Sequence, residues 1–107
     1  MRITYLTEQL GAVETDLKGE IVERLEKLGS PARAYLVSVL HAESGDSSVT
    51  LCIYIEERWR KFVVHQVTDI FEAMFSKAEY LDIVFLDAEE EKKVQAICKP
   101  FFEYETA

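Results

Sequence analysis

The sequence predicts an α+β domain built on a mixed sheet of three or four strands, in the order (β)αββαβα. Two segments, residues 13–28 and 59–78, carry apolar residues at the spacing of an amphipathic helix. Three others, residues 32–41, 49–55 and 80–86, are short, apolar and rich in β-branched or aromatic residues. The sheet is expected to be mixed because a hairpin joins one pair of strands and a helix joins another.

The first strand and the first helix are predicted from the opening of the chain. Residues 2–6 are β-prone and alternate loosely, which favours a short strand. Gly29 is the residue type that ends a helix in the left-handed conformation, and Pro31 prevents its continuation. The apolar stripe of this helix comprises Val13, Leu17, Ile21, Leu25 and Leu28.

The next two strands are predicted to form a hairpin. Residues 32–41 and 49–55 flank a polar run, residues 43–48, that contains Gly45. Both strands are apolar on both sides, so both faces of the sheet are expected to be covered.

The second half of the chain adds a helix, a strand over residues 80–86 and a last helix. Asp87 and Glu90 are spaced as a capping pair for the last helix, and Pro100 ends it. Residues 87–93, acidic and then basic, are interpreted as a solvated face that complements the helix dipole. The second helix has the apolar stripe Trp59, Val63, Val67, Ile70, Phe71, Met74 and Ala78, widened by Phe62 and Phe75.

If residues 2–6 form a strand, the order is that of a ferredoxin-like split βαβ arrangement with an extra C-terminal helix. Such a sheet carries its two helices on one face. The second face would then be covered by the last helix with its aromatic tail, or by a second copy of the protein.

Composition indicates one domain over residues 1–107, located in the cytoplasm. Of its 107 residues 49% are hydrophobic, which is enough for one core. Acidic residues outnumber basic ones by 20 to 12, and this net charge of −8 disfavours binding to nucleic acid or to anionic membranes. Cys52 and Cys98 belong to no CxxC motif, which favours two buried thiols in a reducing compartment.

No catalytic residue, cofactor-binding residue or metal ligand is predicted. His65, Asp69 and Glu72 share one side of the second helix and would be the ligands of a small metal-dependent enzyme, but a solvated helix face is the plainer interpretation. His41, at a strand end, is a candidate base near a loop, but a partly exposed histidine without a role is the preferred interpretation. The isolated glycines form no phosphate-binding loop.

The only basic cluster, around Trp59, is the candidate interaction site, because arginine and tryptophan dominate binding hot spots. A structural interpretation is preferred to it: Glu56–Arg60 and Glu57–Lys61 are (i, i+4) pairs, and Trp59 would cap the core. The predicted interaction residues, including those of the aromatic tail, are Trp59, Arg58, Arg60, Phe101, Phe102 and Tyr104.

Two short motifs carry a family resemblance. Ala34-Tyr35-Leu36 lies in the first hairpin strand, and Pro100-Phe101-Phe102 closes the chain. With this element order, residues 13–104 resemble the C-terminal domain of the bacterial enhanced serine sensitivity protein (SseB) family. The resemblance implies no established catalytic activity, cofactor or set of active-site residues.

We therefore expect a non-enzymatic protein-interaction or regulatory module that binds a protein partner or forms a homodimer. An alternative is an acidic immunity or antidote protein that masks a basic partner, since opposite charges steer association. The small metal-dependent enzyme is the third hypothesis.

Overall fold

The computed structural model describes residues 3–8, 11–75 and 81–105. Three residues that were assigned to predicted elements lie outside the described residues. They are Arg2 of the first strand, Ala78 of the second helix and Tyr80 of the strand over residues 80–86. Within them the elements are β1 (Ile3–Glu8), α1 (Ala12–Glu26), β2 (Ala32–His41), β3 (Ser47–Ile55), α2 (Glu57–Met74), β4 (Asp82–Phe85), α3 (Ala88–Gln95) and β5 (Phe102–Tyr104). The α+β class is confirmed, and β5 is a strand that the sequence analysis did not predict.

Strand β2 organises the sheet, which has the order β1-β2-β3-β4 with β5 also on β2. β2 pairs antiparallel with β3 from Ala32↔Ile55 to Leu40↔Ser47, which confirms the hairpin. β1 pairs with the C-terminal half of β2 and β5 with its first three residues, so these two short strands share one edge. β4 runs parallel to β3, which makes the sheet mixed.

The strand order does not follow the ferredoxin-like alternative. A split βαβ unit separates two parallel strands by a third, whereas β1 and β2, which α1 connects, lie side by side and antiparallel. Helix α1 therefore connects antiparallel neighbours, and only α2 makes a parallel crossover between adjacent strands.

Helices cover both faces of the sheet. On the first face, β2 and β3 pack against α1 and α2 through a buried cluster that includes Leu17, Ile21, Leu36, Leu51 and Val67. On the second face, the same strands pack against α3 through a cluster that includes Tyr35, Val37, Cys52, Leu86 and Val94. The last helix, α3, covers the second face, as one of the two predicted alternatives stated. The aromatic tail packs on the first face instead.

The helix ends follow the predicted chemistry in part. Gly29 has a φ of 65°, a left-handed conformation that a residue with a Cβ rarely adopts. The Asp87 carboxylate accepts a hydrogen bond of 2.8 Å from the Glu90 backbone N–H and so caps α3. The reciprocal half of the capping pair is absent, because the Glu90 carboxylate accepts instead from Tyr5 at 3.0 Å and Lys93 at 3.1 Å.

We expect Asp87→Ala to lower the free energy of unfolding by about 1 kcal/mol, because it removes the acceptor for one unpaired helix N–H. Urea denaturation measures the loss. Asp87→Asn, which keeps an acceptor oxygen, is the matched control and should retain most of the stability. If the alanine and asparagine variants were equally stable, the Asp87 cap would contribute nothing.

Candidate functional site

The first turn of α2 presents an aromatic and cationic surface, which we call the α2 patch and define as Arg58, Trp59 and Phe62. Trp59 is half-buried at the margin of the first-face core. Its ring meets that of Phe62 edge to face, with centroids 6.4 Å apart and an interplanar angle of 73°. Phe62 keeps 44% of its surface exposed. The pair is therefore anchored on one side and open to solvent on the other.

Arg58 covers the Trp59 ring. Its guanidinium carbon lies 5.2 Å from the ring centroid, and its Nε pairs with Glu56 Oε2 at 2.8 Å. Arg58 retains 70% of its side-chain exposure. The Glu56 carboxylate thus pairs with an exposed cation that lies over the aromatic ring.

The flanking charges differ from the predicted pattern. Glu56 pairs with Arg58 rather than with Arg60, and the predicted Glu57–Lys61 pair is not among the ion pairs of the described residues. Arg60 instead lies over the ring of Phe85 in β4, 5.2 Å from its centroid, and is half-buried. Arg60 therefore belongs to the packing between α2 and β4 and not to the exposed patch.

The aromatic tail is part of the fold. Phe102 is only 5% exposed, lies in the first-face core and pairs with Ala34 through β5. The Phe101 backbone N–H donates to the Ala34 carbonyl at 2.9 Å, and Tyr104 is half-buried against the same core. Phe102, predicted as an interaction residue, is thus enclosed within its own chain.

A buried carboxylate that the sequence analysis assigned to a solvated face lies on α3. Glu91 is 5% exposed and accepts two hydrogen bonds from Arg33, at 2.6 Å from Nε and 2.7 Å from Nη2. It also accepts from the Tyr35 hydroxyl at 2.7 Å, which in turn accepts from Gln95 at 3.1 Å. The prediction of a solvated face is wrong for Glu91. Glu91 faces the sheet because it lies three residues before Val94 on the same side of α3, and Val94 enters the second-face core.

The electrostatics of this network indicate a structural role. Hydrogen bonding to the Arg33 guanidinium lowers the pKa of Glu91 and outweighs the effect of burial. Burial, with the hydrogen bond to Glu91, raises the pKa of Tyr35 to about 12. The carboxylate is therefore ionised and fully partnered at neutral pH, so it is not available as a general base.

Three polar side chains from separate strands meet on the second face. The Ser48 hydroxyl donates to Asp82 Oδ2 at 2.8 Å, and His41 Nε2 lies 2.9 Å from Ser48 Oγ and 3.6 Å from Asp82 Oδ2. The sequence singles out His41 but does not place Ser48 and Asp82 beside it. Only the register of the β2–β3 hairpin and the parallel pairing of β4 could have shown this.

The geometry of this cluster differs from a nucleophilic triad. In a triad the hydroxyl donates to the imidazole and the carboxylate holds the other ring nitrogen. Here the hydroxyl proton is directed to Asp82, so His41 Nε2–H is the donor to Ser48. The cluster ties the ends of β2, β3 and β4 together, and the hydroxyl is not oriented for activation by His41.

The remaining candidates do not assemble into a reactive site. His65, Asp69 and Glu72 are exposed along α2, and the described residues contain no group of three His, Cys, Asp or Glu side chains that could hold a metal ion. Cys52 and Cys98 are free and buried, and burial raises the pKa of each thiol to about 12. Both are therefore protonated at neutral pH and behave as core residues.

Comparisons of the chain with protein-family models, with curated proteins and with solved structures find no match. The resemblance to the SseB C-terminal domain therefore stays a prediction. None of the helices in the described residues is long and apolar enough to cross a membrane.

Proposed function

We propose that this chain is a non-enzymatic protein-interaction module, SseB C-terminal-like in type, that uses the α2 patch as its contact surface. The observation that carries the proposal is the exposed edge of Phe62 against the anchored Trp59, with Arg58 over the indole and paired with Glu56. Such a surface combines a rigid apolar contact with an oriented cation. Trp and Arg are enriched among the residues that contribute most to binding.

The preorganisation of the patch supports this role. Trp59 packs against the core and Phe62 packs against Trp59, so a partner would order few aromatic side chains on binding. A complementary partner would offer an apolar pocket for Phe62 and a carboxylate for Arg58. Either another protein or a second copy of this chain would satisfy these requirements.

A second candidate function, the masking of a basic partner, is supported by the outer surface of α1. Its acidic side chains are absent from the ion pairs of the described residues and most are exposed to solvent. They are Glu14, Asp16, Glu20, Glu23 and Glu26. A surface of this kind accelerates association with a cationic partner at low ionic strength.

We expect Phe62→Ser to weaken partner binding by about 2 kcal/mol, or roughly 30-fold, while changing the stability of the free domain by no more than about 1 kcal/mol. The reason is that the Phe62 ring is partly exposed in the free chain and would be enclosed in a complex. Immobilised wild type and variant would be compared by quantitative mass spectrometry of the proteins captured from source-cell extract. Light scattering of each pure protein would report self-association.

Val64→Ser is the matched control for Phe62→Ser. Val64 is 37% exposed on the same helix, and two residues along a helix turn it to the opposite side of the axis from Phe62. The control should retain wild-type binding. Equal capture by wild type and Phe62→Ser, together with equal monomeric masses, would contradict the proposed function.

A further inference from the structure

A concave surface lies at the end of α2 opposite the α2 patch. An apolar cavity of about 290 Å³ opens between the start of α1 and the last turns of α2. Glu14 lies at its wall, and Val13 is 52% exposed. The apolar side chains around it are Val13, Leu17, Val49, Phe71, Phe75 and Leu81. This cavity would accept one or two apolar side chains of a partner.

An acidic hollow of about 480 Å³ flanks the same end of α2. Met74, in the last turn of α2, forms one wall, and the outer surface of α1 forms the rest through Asp16, Glu20 and Glu23. These three carboxylates are exposed, and none is among the ion pairs of the described residues. The apolar cavity is thus accompanied by exposed carboxylates on α1 that form no ion pair within the described residues.

Gly19 lies in this acidic hollow, in the middle of α1. Glycine in a helix interior destabilises the helix relative to alanine. A Cβ added at Gly19 would meet no atom within 4 Å, so packing within the described chain does not require the glycine. Close approach of another chain at this point would account for the missing side chain.

From the apolar cavity, the acidic hollow and their shared helix end, we propose that this surface docks a cationic amphipathic helix of a partner protein. The apolar side chains of that helix enter the cavity, and its lysine or arginine side chains pair with Asp16, Glu20 and Glu23. The occupant is cationic because Asp16, Glu20 and Glu23 are exposed beside the cavity without an ion pair among the described residues, and because the chain has a net charge of −8. The inference extends the proposed interaction function to a surface separate from the α2 patch, and each is tested by its own variants.

The test uses an 18-residue peptide of leucine and lysine at helical spacing, labelled for fluorescence anisotropy, at physiological ionic strength. We expect saturable one-to-one binding by the wild type. Val13→Ser, which removes the exposed rim of the cavity, should lower the affinity about tenfold. Gly19→Ala should raise the melting temperature by a few degrees and still lower the affinity, because its Cβ occupies the docking surface.

Two controls separate docking from general attraction between opposite charges. Glu89→Gln and Glu103→Gln each remove one exposed carboxylate elsewhere and should leave the affinity within about twofold of wild type. Equal losses in these controls and in a Glu20→Gln variant would overturn the proposal. So would unchanged affinity in both Val13→Ser and Gly19→Ala, or self-association of the wild type that Val13→Ser abolishes.

Phe62→Ser distinguishes this inference from the proposed function. It should leave peptide binding intact, because Phe62 lies near the other end of α2. Loss of peptide binding in Phe62→Ser with retention in Val13→Ser would assign the peptide to the α2 patch and overturn the docking site. Failure of the α2 patch in partner capture, with the peptide result as expected, would leave the docking site in place.

Discussion

Glu91→Ala lowers the free energy of unfolding by about 3–5 kcal/mol, the largest effect that we expect from a single substitution. The substitution removes the only carboxylate that contacts Arg33 and the Tyr35 hydroxyl among the described residues. Tyr35 is fully buried, so its hydroxyl would lose a partner without access to water. Urea denaturation at neutral pH measures the change.

Glu89→Ala is the control for Glu91→Ala, since it removes the same group from the exposed side of the same helix. Glu89→Ala should lower the free energy of unfolding by no more than about 1 kcal/mol, the usual size of a charge effect at a helix N-terminus. Equal stabilities of the two variants would show that the buried network contributes no more than a surface carboxylate.

The stability due to Glu91 should also depend on pH. Its pKa is lower in the folded protein than in the unfolded chain, chiefly because Arg33 donates hydrogen bonds to the carboxylate. This contribution is fully present above the ordinary glutamate pKa and is lost as the pH falls through the lowered value. The stability difference between wild type and Glu91→Gln should therefore shrink on acidification, and a difference that grew would contradict the assignment.

Phe102→Ala should lower the free energy of unfolding by about 3–5 kcal/mol, as expected for a large aromatic residue removed from a core. Phe102 is 5% exposed and joins β5 to the edge of β2. Glu103→Ala, which changes the neighbouring exposed residue, should cost no more than about 0.5 kcal/mol. A small effect of Phe102→Ala would mean that the tail is free to contact a partner, as the sequence analysis proposed.

Local periodicity predicted much of the fold. Leu17, Ile21 and Leu25 of α1 are buried, as are Val63 and Val67 of α2, because helical spacing alone places them on one side. The apolar character of both sides of β2 predicted a second covered face, and α3 covers it. These features depend on residues close together in the sequence.

The features that were missed depend on contacts between distant residues. The position of β1 in the sheet and the existence of β5 both depend on which segments pair with the free edge of β2. In addition, a strand of three residues is too short to show a clear alternation in sequence. Glu91 looks like its exposed neighbours in sequence. Its burial depends on Arg33, 58 positions earlier in the chain.

The sequence predicted which residue types form the candidate site but not how they are arranged. The sequence indicated a basic and aromatic cluster at the start of α2, and the structure places Arg58 and Trp59 together there. It also separates Arg60 from them, because β4 brings Phe85 under its guanidinium. Phe62 was assigned to the apolar stripe and instead supplies the exposed aromatic part of the patch.

The most direct test of the proposed function is the indole Nε1–H signal of Trp59 in ¹⁵N-labelled protein. Trp59 is the only tryptophan, so the spectrum contains one such signal. We expect it to shift or broaden when dilute wild type is placed in source-cell extract, and to stay unchanged in Phe62→Ser. An unchanged wild-type signal in extract and across a concentration series in buffer would contradict an interaction through the α2 patch.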